Sequence, residues 1–202
     1  LPAEGHYTTA RDLACIACHA MQNETFRTIV NTKYYEKRGW KNKNKMLYRY
    51  EGANGIKTGY TVKAGRCLVT GAERGGMQLV CAVLNSPQMY ERSEELLDEC
   101  FQKYEMRKIY SEDKTFVLPT DVAGKVCELK GESVFYPLAK GEKVRQECIL
   151  PEEISLPIKK GEVEGKIDFY LENRLIFSRN LCTIRDMEKS YSDYLKEIAR
   201  NF

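Results

Sequence analysis

Gly52-Ala53-Asn54-Gly55-Ile56-Lys57-Thr58-Gly59-Tyr60-Thr61 sets a Lys-Thr-Gly triplet inside a strand-like run. A cation beside a hydroxyl can hold a carboxylate. The glycine that follows removes the Cβ that would keep a ligand backbone off the strand edge, so a peptide-like ligand can add as an extra strand. The triplet alone also fits an ordinary solvated strand edge, and its surroundings decide between the two readings.

Outward from the triplet, apolar and β-branched runs predict strands over 55–61, 66–72 and 77–84, the last two joined as a hairpin by Glu73-Arg74-Gly75-Gly76. Ser86-Pro87 reads as a helix start, with Met89, Ser93, Leu96, Leu97, Cys100, Phe101 and Tyr104 on one helical face that covers the sheet. Upstream, Thr9 and Asp12 form a capping box for a helix over 10–22 with Leu13, Ile16, Ala17 and Ala20 inward, and Asn23 caps a second short helix. The stretch 31–51 is polar, basic and rich in Tyr and Asn, as expected of an exposed loop with short ordered pieces.

After Met106 the texture changes to short alternating runs at 115–118, 125–129, 134–138, 144–150, 165–171 and 175–184, the pattern of a separate all-β domain. Helical spacing returns over 186–202, with Met187, Tyr191, Tyr194, Leu195, Ile198 and Phe202 on one stripe. The expected domains are 1–105, 106–185 and a terminal amphipathic helix 186–202. That helix suits either a membrane surface or packing on protein, and its four acids against three bases weigh toward packing.

The 202 residues carry 32 basic and 29 acidic side chains, a net charge of +3 spread along the chain, so no concentrated basic face for nucleic acid is expected. No apolar run reaches the length of a membrane-spanning helix, the longest being 79–84. The first residue is Leu1, and LPAEGHYTTA lacks the regions of a signal peptide, which leads us to expect further sequence upstream. Cys15-Ile16-Ala17-Cys18-His19 matches a haem-attachment pattern, but it lies inside a capped amphipathic helix in a chain whose only other histidine is His6. Helix packing is the expected role, and no cofactor or metal is expected. Cys67 and Cys81 are placed across the hairpin from each other as free thiols.

With GHYTTARDLA in front and EGANGIKTGYTVKAGRCLVTGAER behind it, the chain resembles the serine-type D-Ala-D-Ala carboxypeptidases, the low-molecular-mass penicillin-binding proteins. The resemblance covers nearly the whole chain, and LPIKKGEVEGKI looks like the family's C-terminal β-domain. It implies an α+β fold: the C-terminal part of a penicillin-binding and β-lactamase-like transpeptidase fold, an antiparallel sheet with helices, followed by a small all-β domain. It implies an extracytoplasmic setting in the cell envelope, a peptidoglycan stem peptide as substrate and, where the N-terminal half is present, β-lactams as ligands.

The family uses three motifs in chain order, SxxK, SxN and KTG. The resemblance assigns substrate binding to Lys57, to Thr58 and Gly59, to the Tyr60 backbone N–H as one arm of an oxyanion hole, and to Arg92 beside the substrate carboxylate. Lys57 and the Tyr60 N–H are expected in one open groove along the sheet edge, with Thr58 and Arg92 at its end. Ser111-Glu112-Asp113-Lys114 and Ser178-Arg179-Asn180 fit the other two spacings, yet both follow KTG within the β-rich part and are read as chance. No catalytic nucleophile or base is assigned in these residues. The alternative is a non-catalytic remnant that keeps the KTG strand and β-domain for binding or assembly.

Overall fold

The computed structural model describes residues 3–200 and divides into two compact units, Leu1–Met106 and Arg107–Phe202. The first unit opens with helix α1 (Ala10–Ala20), whose capping box is formed: Asp12 N donates to Thr9 Oγ1 at 3.1 Å and Thr9 N to Asp12 Oδ2 at 3.3 Å. Asn23 Oδ1 caps α2 (Glu24–Asn31) through the Phe26 N–H. The packed face of α1 differs from the expected one. Ile16 is 63% exposed, and Cys15 and Cys18 are exposed as well, so the cysteines do not pack the helix; Ala17 and Met21 do.

A two-stranded ribbon follows, β1 (Tyr34–Tyr35) and β2 (Trp40–Lys41), then the single turn α3 (Met46–Arg49). Met46 and Leu47 anchor that turn in the core, which the polar texture of the segment concealed. The central sheet runs in the order β3 (Ala53–Thr61), β4 (Gly65–Arg74), β5 (Met77–Val83), all antiparallel. Arg74 pairs with Met77 around Gly75-Gly76, whose φ values of +56° and +77° suit the left-handed two-residue hairpin turn. Helix α4 (Met89–Lys103) lays Met89, Leu97 and the half-buried Leu96 and Phe101 over Leu68, Ala72 and Val83. Arg74 locks the hairpin to the helix, stacking between Tyr50 and Phe101 while pairing with Asp98 at 3.2 Å.

Tyr104 does not extend α4. It is the extended C-cap, and β6 (Tyr104–Tyr110) begins there, so the texture change near Met106 falls within a strand. Cys67 lies opposite Gly59 and Cys81 opposite Thr70, so the two cysteines do not face each other.

The second unit contains β7 (Thr115–Pro119), β8 (Val126–Lys130), β9 (Val134–Ala139), β10 (Val144–Ile149), β11 (Val163–Leu171) and β12 (Arg174–Thr183), in a sheet of order β10-β11-β12-β8-β7 and a β6-β9 pair. Its core centres on Phe169, stacked on Phe177 at 4.8 Å and edge-on to Tyr110 at 6.2 Å. Met187 is not helical: it bridges Ile158 in both directions, at 2.8 and 2.9 Å, and packs on the core. Helix α5 (Tyr191–Arg200) starts only after that bridge, with Ser190 and Asp193 bonding reciprocally at its start. The predicted stripe residues Tyr191, Tyr194, Leu195 and Ile198 are exposed, and Phe202 lies outside the described residues.

Candidate functional site

β3 is an edge strand: its residues pair with β4 on one side, and among the described residues no strand lies on the other. The pleat divides the triplet. Thr58 pairs with Leu68, on the face that α4 covers, while Lys57 pairs with Val69 on the opposite face. Lys57 is exposed and its Nζ donates to the Thr58 carbonyl of its own strand. Thr58, Gly59 and Tyr60 line a cleft of about 350 Å³ together with Lys43, Arg66, Met89 and Tyr90.

Arg92, on α4, is not among the residues that line this cleft; its Nη1 pairs with Glu95 Oε2 at 2.9 Å, the i,i+3 partner on the same helix. Two other cations stand there, Lys43 and Arg66. The sequence carried a signal for Arg66, because a hairpin register that puts Gly65 opposite Thr61 makes Arg66 the cross-strand partner of Tyr60. Lys43 comes from the loop before α3, which no periodicity connects to β3.

Gly59 has the conformation of an ordinary strand residue, and a Cβ built on it meets only Cys67 Cβ, at 3.9 Å. Nothing in the chain's own packing requires glycine there. Gly55 and Gly71 differ: a Cβ would come within 2.8 Å of Val30 and 2.7 Å of Asn54. Gly65, at the start of β4, has a φ of +68° and a Cβ there would lie 2.1 Å from Asn85 Oδ1, so the four glycines of this sheet divide into three that the fold needs and one, Gly59, that leaves the strand surface bare.

The two chance motifs are occupied structurally. Ser111 Oγ donates to Asp113 at 2.7 Å in the turn before β7, while Lys114 stands over the Phe116 ring. Ser178 Oγ donates to the buried Asp168, which also holds Lys166 at 3.1 Å; these hydrogen bonds keep the Asp168 carboxyl below the usual carboxylate range.

The family description D-alanyl-D-alanine carboxypeptidase matches residues 1–88, and penicillin-binding protein 5, C-terminal domain, matches residues 104–189. The D-alanyl-D-alanine carboxypeptidase DacF of Bacillus subtilis is 28% identical over 94% of this chain and 53% of its own length. DacC of Escherichia coli, another D-alanyl-D-alanine carboxypeptidase, is 31% identical over 94% and 50%. The chain spans about half the length of these curated relatives. The crystal structure of penicillin binding protein 5 from Haemophilus influenzae matches with a TM-score of 0.69 at 27% identity, over 94% of this chain and 59% of that one. The peptidoglycan synthesis regulatory factor PBP3 from Streptococcus pneumoniae shares the fold, with a TM-score of 0.73 at 19% identity over 90% and 57%. An edge strand carrying Lys-Thr-Gly, a helix-covered sheet behind it and a β-rich second unit thus agree with both matches, and the chain belongs to the penicillin-binding D-alanyl-D-alanine carboxypeptidases, the S11 peptidase family.

Proposed function

We propose that the chain supplies the KTG half of the active site of a serine-type D-Ala-D-Ala carboxypeptidase in the cell envelope. The whole enzyme removes the terminal D-Ala of peptidoglycan pentapeptide stems through an acyl-serine intermediate, with the nucleophile and its lysine base upstream of these residues. In this reading Lys57 tunes the field at the reacting centre, Thr58 and Arg92 meet the terminal carboxylate, and Gly59 lets the stem peptide lie along β3. The Tyr60 N–H is one arm of the oxyanion hole, a donor typically worth about 3 kcal/mol in the transition state. Residues 1–105 belong to the catalytic domain and 106–185 to the β-domain. β-Lactams bind only when the upstream half is present, and the chain alone does not form an acyl-enzyme.

The observation that carries this reading is Gly59, a glycine on an open strand edge that no neighbour in the chain requires. The experiment uses the protein extended upstream through both motifs. Thr58→Val is expected to lower kcat/KM on a D-Ala-D-Ala peptide by roughly tenfold or more, the scale of one charge-assisted hydrogen bond, with little effect on the same peptide carrying a C-terminal amide. Equal losses on both peptides would contradict the carboxylate assignment.

A further inference from the structure

Residues 33–49 hold seven of the chain's cations, Lys33, Lys37, Arg38, Lys41, Lys43, Lys45 and Arg49, against one acid, Glu36. The even spread of charge expected from the whole-chain balance fails here. All six cations before Arg49 are exposed, and among the described residues none of them forms an ion pair; only Arg49 does, with Glu91 and Glu94. The scaffold beneath them is well tied. β1 and β2 pair in register, Asn42 N–H donates to the Lys33 carbonyl at 2.9 Å, the Tyr48 hydroxyl donates to the same carbonyl at 2.7 Å, and Met46 and Leu47 are buried. Between Lys43 and Lys45, Asn44 is buried with its Oδ1 committed to the Met46 N–H, and its Nδ2 is the one buried side-chain donor without a partner among the described residues.

We propose that this ribbon and the turn after it form a docking surface for a linear polyphosphodiester of the polyol-phosphate kind, a polymer with one negative charge per repeat. Unpaired cations on a fixed scaffold attract such a chain by releasing its counterions. Five of the seven are lysines, which act as point charges and suit a diffuse polyanion better than the bidentate geometry that singles out a carboxylate. Of the four exposed rings here, Trp40 and Tyr48 are already engaged by the chain's own cations, Arg38 standing over Trp40 at 5.2 Å and Lys33 and Lys41 over Tyr48 at 5.9 and 5.2 Å, which leaves Tyr34 and Tyr35 as a small platform for nucleobases beside seven cations for phosphates. Lys43 joins the surface to the Thr58 cleft. A polymer docked there would hold that cleft near the material that bears it.

The test titrates the chain into fluorescein-labelled poly(glycerol phosphate), followed by anisotropy, with polyglutamate and oligothymidylate of matched charge as the comparison arms. Poly(glycerol phosphate) is expected to bind most tightly, and to weaken on the order of a hundredfold between about 50 and about 200 mM salt. The variant Lys37→Gln/Arg38→Gln/Lys41→Gln, which leaves the Thr58 cleft untouched, is expected to lose on the order of tenfold at low salt, since three of the contributing charges are gone. Lys140→Gln/Lys143→Gln/Lys159→Gln, an equal charge change in the second unit, is expected to lose almost nothing. Lys37→Glu alone repeats the test at smaller amplitude should the triple variant fold poorly. Three results overturn the proposal: no binding of poly(glycerol phosphate), equal losses in the two triple variants, or tighter binding of either comparison polymer.

Discussion

Lys57 and Thr58 are consecutive in β3 yet belong to opposite faces of the sheet, Lys57 opposite Val69 and Thr58 opposite Leu68. Their Cβ atoms leave the strand in opposite directions. A ligand extended along the strand edge can meet the two in turn, which is how a peptide adds to a sheet. In the protein extended upstream, Lys57→Ala is therefore expected to slow acylation by about a hundredfold or more, as loss of a transition-state contact does. Thr58→Val should act mainly on recognition of the carboxylate. Stopped-flow acylation at varied substrate concentration separates a rate effect from a binding effect.

Glycine substitutions in this sheet should separate folding from function. Gly71→Ala forces a Cβ to 2.7 Å from Asn54 Oδ1, and Gly52→Ala forces one to 2.4 Å from the Glu73 carbonyl at a φ of +79°. Each is expected to lower stability by about 1–3 kcal/mol. Gly59→Ala has room and should leave the denaturant midpoint nearly unchanged, while cutting penicillin acylation of the extended protein. A large midpoint shift for Gly59→Ala would mean that the fold itself needs that glycine.

Helix α5 is held at its start by Asp193, which accepts from Lys125 Nζ at 2.8 Å and from the Ser190 hydroxyl and N–H. These partners, Lys125 first, hold the Asp193 carboxyl well below the usual carboxylate range. Because the folded value is depressed, the stabilisation is complete above the unfolded pKa of about 3.9 and is lost only as pH falls through the lower folded value. Amide exchange in α5 should thus stay slow down to about pH 4 in the native chain. In Lys125→Met it should quicken at higher pH, and Ser190→Ala should cost about 1 kcal/mol as a lost cap.

The core of the second unit gives a plain stability test. Phe169 is fully buried between two aromatic partners, so Phe169→Ala is expected to cost about 3–5 kcal/mol by urea denaturation. Phe135, exposed on β9, should tolerate the same change within about 0.5 kcal/mol.

What the sequence revealed followed from local physics. Thr9 and Asp12 announce a helix because their hydrogen bonds close within four residues, and Gly75-Gly76 announces a hairpin because few other residue pairs accept that backbone. The failures were non-local. Met187 fits a helical stripe by spacing, but two hydrogen bonds to Ile158 hold it extended. Tyr104 continues the apolar face of α4, yet the chain turns into β6 at that residue. The lining of the cleft was legible only in part: Arg66 follows from the hairpin register opposite Tyr60, whereas Lys43 comes from a loop that no periodicity connects to β3. The basic character of 31–51 was legible, but the whole-chain sum hid how many of its cations stand exposed and, among the described residues, without an ion pair on one scaffold.

The half-site reading is tested most directly by labelling with a fluorescent penicillin, applied to the 202-residue chain and to the protein extended upstream through SxxK and SxN. The expected result is no covalent label on the short chain, since Ser111, its one SxxK serine, is hydrogen-bonded to Asp113 and has no lysine base. The extended protein should label, and more slowly with Lys57→Ala. Labelling of the short chain that disappears with Ser111→Ala would contradict the account.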